Sequence, residues 1–247
     1  MKKIEEMTRE ELLEFLGNVY RATCMLLSDW QEEPVDAIFF HARTHGDYEQ
    51  LFELVADRYQ AKIAHKVVVN GGDGRHIDDF VSGEAWPGAD SWVEGLCSHN
   101  VKIDDIYLTK PAFNTKEEND GFLAIAIKER WRSAIIVNQP HYLLRSSLGL
   151  IRSMKSTSYW LRVYNMSPKS KSASSWWQKV YWPSAGISVK NIPPESRFRE
   201  RFDLMPSEFM KIPEYQEKGH LATFEEFFEV LDAMGKVPRH LFVEEAL

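Results

Sequence analysis

Short runs of β-branched and aromatic residues alternate with longer stretches of helical periodicity over the first two thirds of this chain. The short runs are residues 35–40, 66–69, 105–108, 134–137 and 160–164, and each is predicted to be a strand. The stretches between them, 48–63, 90–98, 115–131 and 142–154, carry apolar residues at helical spacing. Strands this short and this apolar, separated by helices, must be buried on both faces. That leaves a parallel sheet with helices packed on each side. With right-handed crossovers, the expected architecture is α/β: a Rossmann-like, doubly wound, mostly parallel five-stranded sheet.

A further helix is predicted over 8–27, where Thr8 and Glu11 have capping-box spacing ahead of Leu12, Phe15, Leu16 and Val19. Residues 166–194 show no period and are rich in Ser, Lys, Trp and Pro, so they read as a flap loop. Two closing helices are expected over 195–210 and 223–234, the second capped by Thr223 with Glu226 and followed by Gly235. Residues 1–165 thus form the core with its N-terminal helix. Residues 166–247 add the flap and a C-terminal helical extension on the same domain.

The 247 residues suit one large α/β domain, and 44% apolar residues suffice for its core. The start, Met1-Lys2-Lys3-Ile4-Glu5-Glu6, has no apolar leader region, and no apolar run is long enough to span a bilayer. Cys24 and Cys97 are the only cysteines, which excludes a disulfide framework. A cytoplasmic protein without membrane contact is expected. The net charge of −7 conceals an asymmetry: residues 130–194 hold ten Lys and Arg and no Asp or Glu, and the rest of the chain carries −17. A basic block of this kind calls for an anionic ligand or a docking surface.

In open parallel sheets ligands sit beyond the carboxyl ends of the strands. His41, Arg43, Thr44 and His45 follow the first strand, and Asn70, Gly71, Gly72 and Asp73 follow the second. Asn114 and Thr115 follow the third. Asn138, Gln139 and His141 follow the fourth, with Tyr142 and Arg145 in the next helix. The Asn70–Gly74 stretch reads equally as a turn and as a backbone nest for phosphate. Asn114-Thr115 is a helix cap that can also hold an anion. Arg145 is either a surface charge or a clamp on phosphate or carboxylate. His41 and His45 are four apart but straddle a strand end. Asp73, His76, Asp78 and Asp79 read as solvated loop, so no metal site is expected.

The stretch Val137-Asn138-Gln139-Pro140-His141-Tyr142-Leu143-Leu144-Arg145-Ser146 resembles the V-T-Q-P-(F/Y)-H-x-x-R-A motif of the YdcF-like family, the SanA and ElyC relatives, a domain of unknown function. Asn114-Thr115-Lys116-Glu117 resembles the start of that family's N-T-x-E-N motif, and Asn70-Gly71-Gly72 its S-G-G. The order agrees over about half the chain. Asn138 replaces the family Thr, and Tyr142 stands at the family His, with His141 one place earlier. The resemblance implies a divergent soluble member with a Rossmann-like fold. Family members are often membrane-anchored, and several are tied to the bacterial envelope. It also implies a phosphorylated or nucleotide-like ligand, with S-adenosylmethionine as one candidate and the cofactor otherwise unknown.

On this reading Arg43, Asn70, Gly71, Gly72, Asp73, Asn114, Thr115, Asn138, Gln139, Tyr142 and Arg145 bind ligand. His41 or His141 is the acid/base, since imidazole titrates near neutrality, and Glu117 orients a ligand hydroxyl. Transfer and hydrolysis are both open. A second reading takes the basic, Trp- and Tyr-bearing segment 130–194 as a single-strand nucleic-acid groove. The acidic total charge opposes it. A third makes the Trp176-Trp177 loop a non-catalytic docking contact, in a homodimer or on the chain itself.

Overall fold

A computed structural model describes residues 4–29, 33–44, 48–74, 86–168, 179–181 and 192–235. Helix α1 spans Arg9–Leu27, and strand β1 spans Ala37–Phe40. They are followed by α2 (Glu49–Gln60), β2 (Val67–Val69), α3 (Ala89–Ser98) and β3 (Ile106–Leu108). Then come α4 (Thr115–Glu129), β4 (Ser133–Val137), α5 (Pro140–Thr157) and β5 (Arg162–Met166). Beyond the sheet lie β6 (Lys179–Tyr181), β7 (Phe198–Glu200), α6 (Arg201–Glu217) and α7 (Phe224–Ala233).

The five core strands are parallel, in the order β3-β2-β1-β4-β5. This is the doubly wound, Rossmann-like sheet expected from the sequence, and its order reverses between β1 and β4. Alternate residues of β1 face opposite sides. Ala37 and Phe39 join a core with α1, α4, α5 and α7, while Ile38 and Phe40 join one with α2 and α3. Helix α5 is buried nearly all round, because α1, α4, α6 and α7 all pack on it. At the start of the central pair, the Asp36 carboxylate accepts from the backbone N–H groups of Arg132 and Ser133 and from the Ser133 hydroxyl, fastening β1 to β4.

Both predicted capping boxes are present, Thr8 with Glu11 and Thr223 with Glu226. The fifth strand lies two residues later than expected, because Val137 pairs with Met166. The region around residue 195 differs from the expectation of a helix over 195–210. Pro194–Ser196 is a single 3-10 turn, and β7 then pairs antiparallel with β6. Helix α6 therefore starts six residues late and runs on to Glu217. Pairing with a distant strand overrode local helical spacing there. The Trp176-Trp177 contact, His45, His76, Asp78 and Asp79 fall outside the described residues. Among the described residues, no helix is long and apolar enough to cross a membrane.

Candidate functional site

A cleft of about 560 Å³ opens at the carboxyl ends of β1, β2 and β3. That volume is in the usual range for small-molecule sites, roughly 300–1,000 Å³. Its inner wall comes from the loops after β1 and β2 and from the starts of α4 and α5. Its outer wall is α6, through Leu204, Ser207, Glu208, Lys211 and Tyr215. Arg43, Asn70, Gly72, Asn114, Thr115, Tyr142 and Arg145 line it, so seven of the expected ligand-binding residues share one cavity.

The loop after β2 is a fastening and not a phosphate nest. Asn70 is buried; its amide Nδ2 donates to the Ala112 carbonyl at 2.8 Å, and its Oδ1 accepts from Ala112 N at 3.1 Å. Gly71 N donates to Thr109 Oγ1 and Gly72 N to Asn70 Oδ1, so both amides are spent inside the protein. A Cβ on Gly71 would lie 2.0 Å from the Thr109 carbonyl oxygen, so only glycine fits this crossing of two strand ends. Asp73 is exposed and lies outside the cleft lining.

A sealed polar layer lies behind the cleft. The His41 ring is fully buried. Its Nε2–H donates to Asn119 Oδ1 at 2.9 Å, and its Nδ1 accepts from Asn138 Nδ2 at 3.1 Å. Burial drives the imidazole down to about 3; the Asn119 bond opposes this, while Arg43 and Arg145 reinforce it. His41 is therefore a neutral bridge at physiological pH, with both nitrogens engaged, and the acid/base role expected of it has no support. Asn138 also accepts from Gln139 N, and its carbonyl accepts from Ser167 Oγ. It is a structural node joining β1, β4 and the chain beyond β5. Gln139 is buried at the start of α5 and, like Gly71, Asn138 and His141, lies outside the cleft lining. His141 Nε2 accepts from Arg43 Nη2 at 3.1 Å and so props that guanidinium.

Helix phase decides which glutamate enters the site. Asn114 caps α4 by accepting from Glu117 N, and exposed Glu117 accepts from Phe113 N at 2.7 Å. Glu117 belongs to the cap, not to the ligand. Glu118 and Asn119 instead lie three and four residues after Thr115, on its buried face. Spacing from the helix start was the available signal for Glu118. Its Oε1 accepts from Ala42 N at 2.8 Å and from Asn70 Nδ2 at 3.4 Å, and the residue lines the cleft. Burial pushes this carboxyl up to about 7, against the pull of Ala42 N–H, Arg43, Asn70 and Arg145.

The aromatic ring of Tyr142 carries two cations, with the Arg43 and Arg145 guanidinium carbons 4.0 and 4.4 Å from its centroid. Its hydroxyl bonds Thr115 Oγ1. Arg145 is partly buried; its Nε donates to Glu208 and its Nη1 to Thr115 Oγ1 at 3.2 Å. Burial pushes Glu208 up, but Arg145 and Lys211 outweigh it and hold the carboxylate down at about 2. Nothing in the sequence marked α6 as a wall of the site, since Pro206 and Pro213 interrupt its pattern.

The cleft's positive charge has a different origin from the basic block. Its lining cations among the described residues are Arg43, Lys116, Arg145, Arg199, Lys211 and Lys218, and only Arg145 comes from residues 130–194. Within the block, Arg152 holds the Gly219 carbonyl and Lys155 pairs with Glu226. Trp131 and Tyr164 are buried and cannot stack a nucleobase, whereas Trp160 is exposed. No known family model matches this chain, and no curated protein is similar to it.

Proposed function

We propose that this protein binds a small phosphorylated or nucleotide-like molecule in the cleft between the sheet and α6, as a divergent YdcF-like protein. The observation that carries this is the lining: among the described residues, six Lys and Arg stand with two carboxylates, Glu118 and Glu208, at the ligand-binding edge of a doubly wound sheet. The start of α4 supports it, since Asn114, Thr115 and Lys116 bring a helix N-terminus to the same cavity. The resemblance of Asn114–Thr115 and of Val137–Arg145 to the family motifs supports the family and keeps S-adenosylmethionine among the candidates. If the site transfers or hydrolyses a group, Glu118 is the proton-exchanging residue, because of the two described carboxyls lining the cleft it is the one that burial raises to about 7.

A thermal-shift series with inorganic phosphate, nucleoside mono- and diphosphates and S-adenosylmethionine tests this. At least one anion raises the midpoint of the wild type, and Arg43→Ala reduces that shift. A flat response across the series rejects the reading.

A further inference from the structure

Glu208 stands between two cations of the cleft, Arg145 and Lys211. It reaches in from α6, and its side chain is only 11% exposed. Oε2 accepts from Arg145 Nε and Oε1 accepts from Lys211 Nζ at 2.8 Å. Arg145 also holds Thr115, the first residue of α4, so the positive end of that helix adds to the same point. The Tyr142 hydroxyl bonds the same Thr115 oxygen. Two cations thus meet on one carboxylate, and Arg145 links it to the Thr115 and Tyr142 hydroxyl pair at the start of α4.

We propose that this Arg145–Lys211–Thr115 seat is the subsite for the ligand's phosphate group, and that Glu208 is an internal stand-in which the phosphate displaces. The inference rests on the anion-binding reading above. A carboxylate brings one charge and two oxygens in one plane. A phosphate monoester brings up to two charges and three terminal oxygens in a tetrahedral array. It can take the Arg145 and Lys211 bonds together and add a bond from the Thr115 or Tyr142 hydroxyl. The exchange also leaves the partly buried guanidinium paired at either end. The element carrying Glu208 is suited to move. Pro206 and Pro213 supply no N–H, so α6 lacks two rungs of its own hydrogen-bond ladder.

Competition by an internal carboxylate predicts that removing Glu208 strengthens binding, although it is a lining residue. Isothermal titration of the full chain with inorganic phosphate measures this for the wild type, Glu208→Gln and Glu208→Asp. Asp203→Asn serves as the control, since it removes one exposed charge from the first turn of the same helix, outside the cleft lining. Glu208→Gln binds about tenfold tighter or more, the scale of one charge-assisted hydrogen bond. Glu208→Asp retains the charge but reaches less far, and falls between it and the wild type. It also carries the test if the glutamine variant does not fold. Asp203→Asn changes affinity by less than about twofold, as a screened surface charge should. Wild-type binding with equal or weaker binding by both Glu208 variants overturns the displacement and leaves the anion site standing. No phosphate binding by any of the four overturns both.

Discussion

The sealed layer around His41 and the open cleft around Glu118 are built from similar residues at the same edge of one sheet. Both use side chains that lie just past β1, β2 and β4 or in the first turns of α4, and both hold a buried titratable group. They differ in what completes the hydrogen bonds. Around His41, Asn119 and Asn138 supply one acceptor and one donor, and the imidazole stays neutral. Around Glu118, two donors hold one oxygen, and the residue faces a cavity lined by cations. Polar side chains gathered at strand ends are therefore of two kinds. Some meet ligand, and others make it possible for a polar chain turn to be buried at all.

The largest effect that separates the two regions is in stability. His41→Leu leaves Asn119 Oδ1 and Asn138 Nδ2 without their partner in the interior, at about 1–3 kcal/mol each. Urea unfolding should show a loss of about 2–5 kcal/mol, while the folded fraction binds anion with wild-type affinity. A variant that keeps its stability but loses affinity would place His41 in the cleft.

The next effect is in the pH profile, where the two groups oppose each other. Glu118 rises from its ordinary 4.5 to about 7, so folding takes up a proton there. Its contribution is best below pH 4.5 and is lost as pH rises through 7. His41 falls from 6.5 to about 3, so folding releases a proton there. Its contribution is complete above pH 6.5 and is lost as pH falls through 3. Between pH 4.5 and 6.5 the slopes cancel in the wild type. Glu118→Gln leaves the His41 slope alone, and stability then rises with pH by about 1.4 kcal/mol per unit across that window. Parallel profiles for the two proteins, from denaturant midpoints at matched pH, would break the comparison.

The smallest effect lies at the rim. Lys116 pairs with Asp120 at the surface, where ion pairs contribute about 0–1 kcal/mol. Lys116→Ala should leave the unfolding midpoint nearly unchanged and weaken anion binding a few-fold, by an amount that shrinks as salt is added. That is the mirror image of His41→Leu.

The scaffold was legible because its signals are local. The β-branched runs, the Thr8 and Thr223 caps and the glycine-rich stop after β2 depend on neighbours in sequence. The site was legible only as far as a strand end identifies it. Arg43, Thr115, Tyr142 and Arg145 all lie within a short reach of a strand's carboxyl end, where a doubly wound sheet meets its ligand. Glu118 required the phase of α4, which turns on whether Glu117 is spent on the cap. Glu208 and Lys211 could not be found that way, because they enter from an element that belongs to no strand end. The charge block misled for a related reason. Charge along the chain says nothing of direction, and the cleft collects its cations from widely separated stretches of sequence.

The Asp36 clasp between β1 and β4 also has a consequence for assembly in time. The two strands at the centre of the sheet are far apart in the chain, and Asp36 waits for the amides of Arg132 and Ser133. During synthesis, β1 therefore emerges long before the partner for one of its edges exists. Until β4 arrives, Ala37–Phe40 presents an unpaired, wholly apolar edge, the kind that other chains can add to. The topology that brings the cleft together thus makes the newborn first half of the chain its most aggregation-prone form.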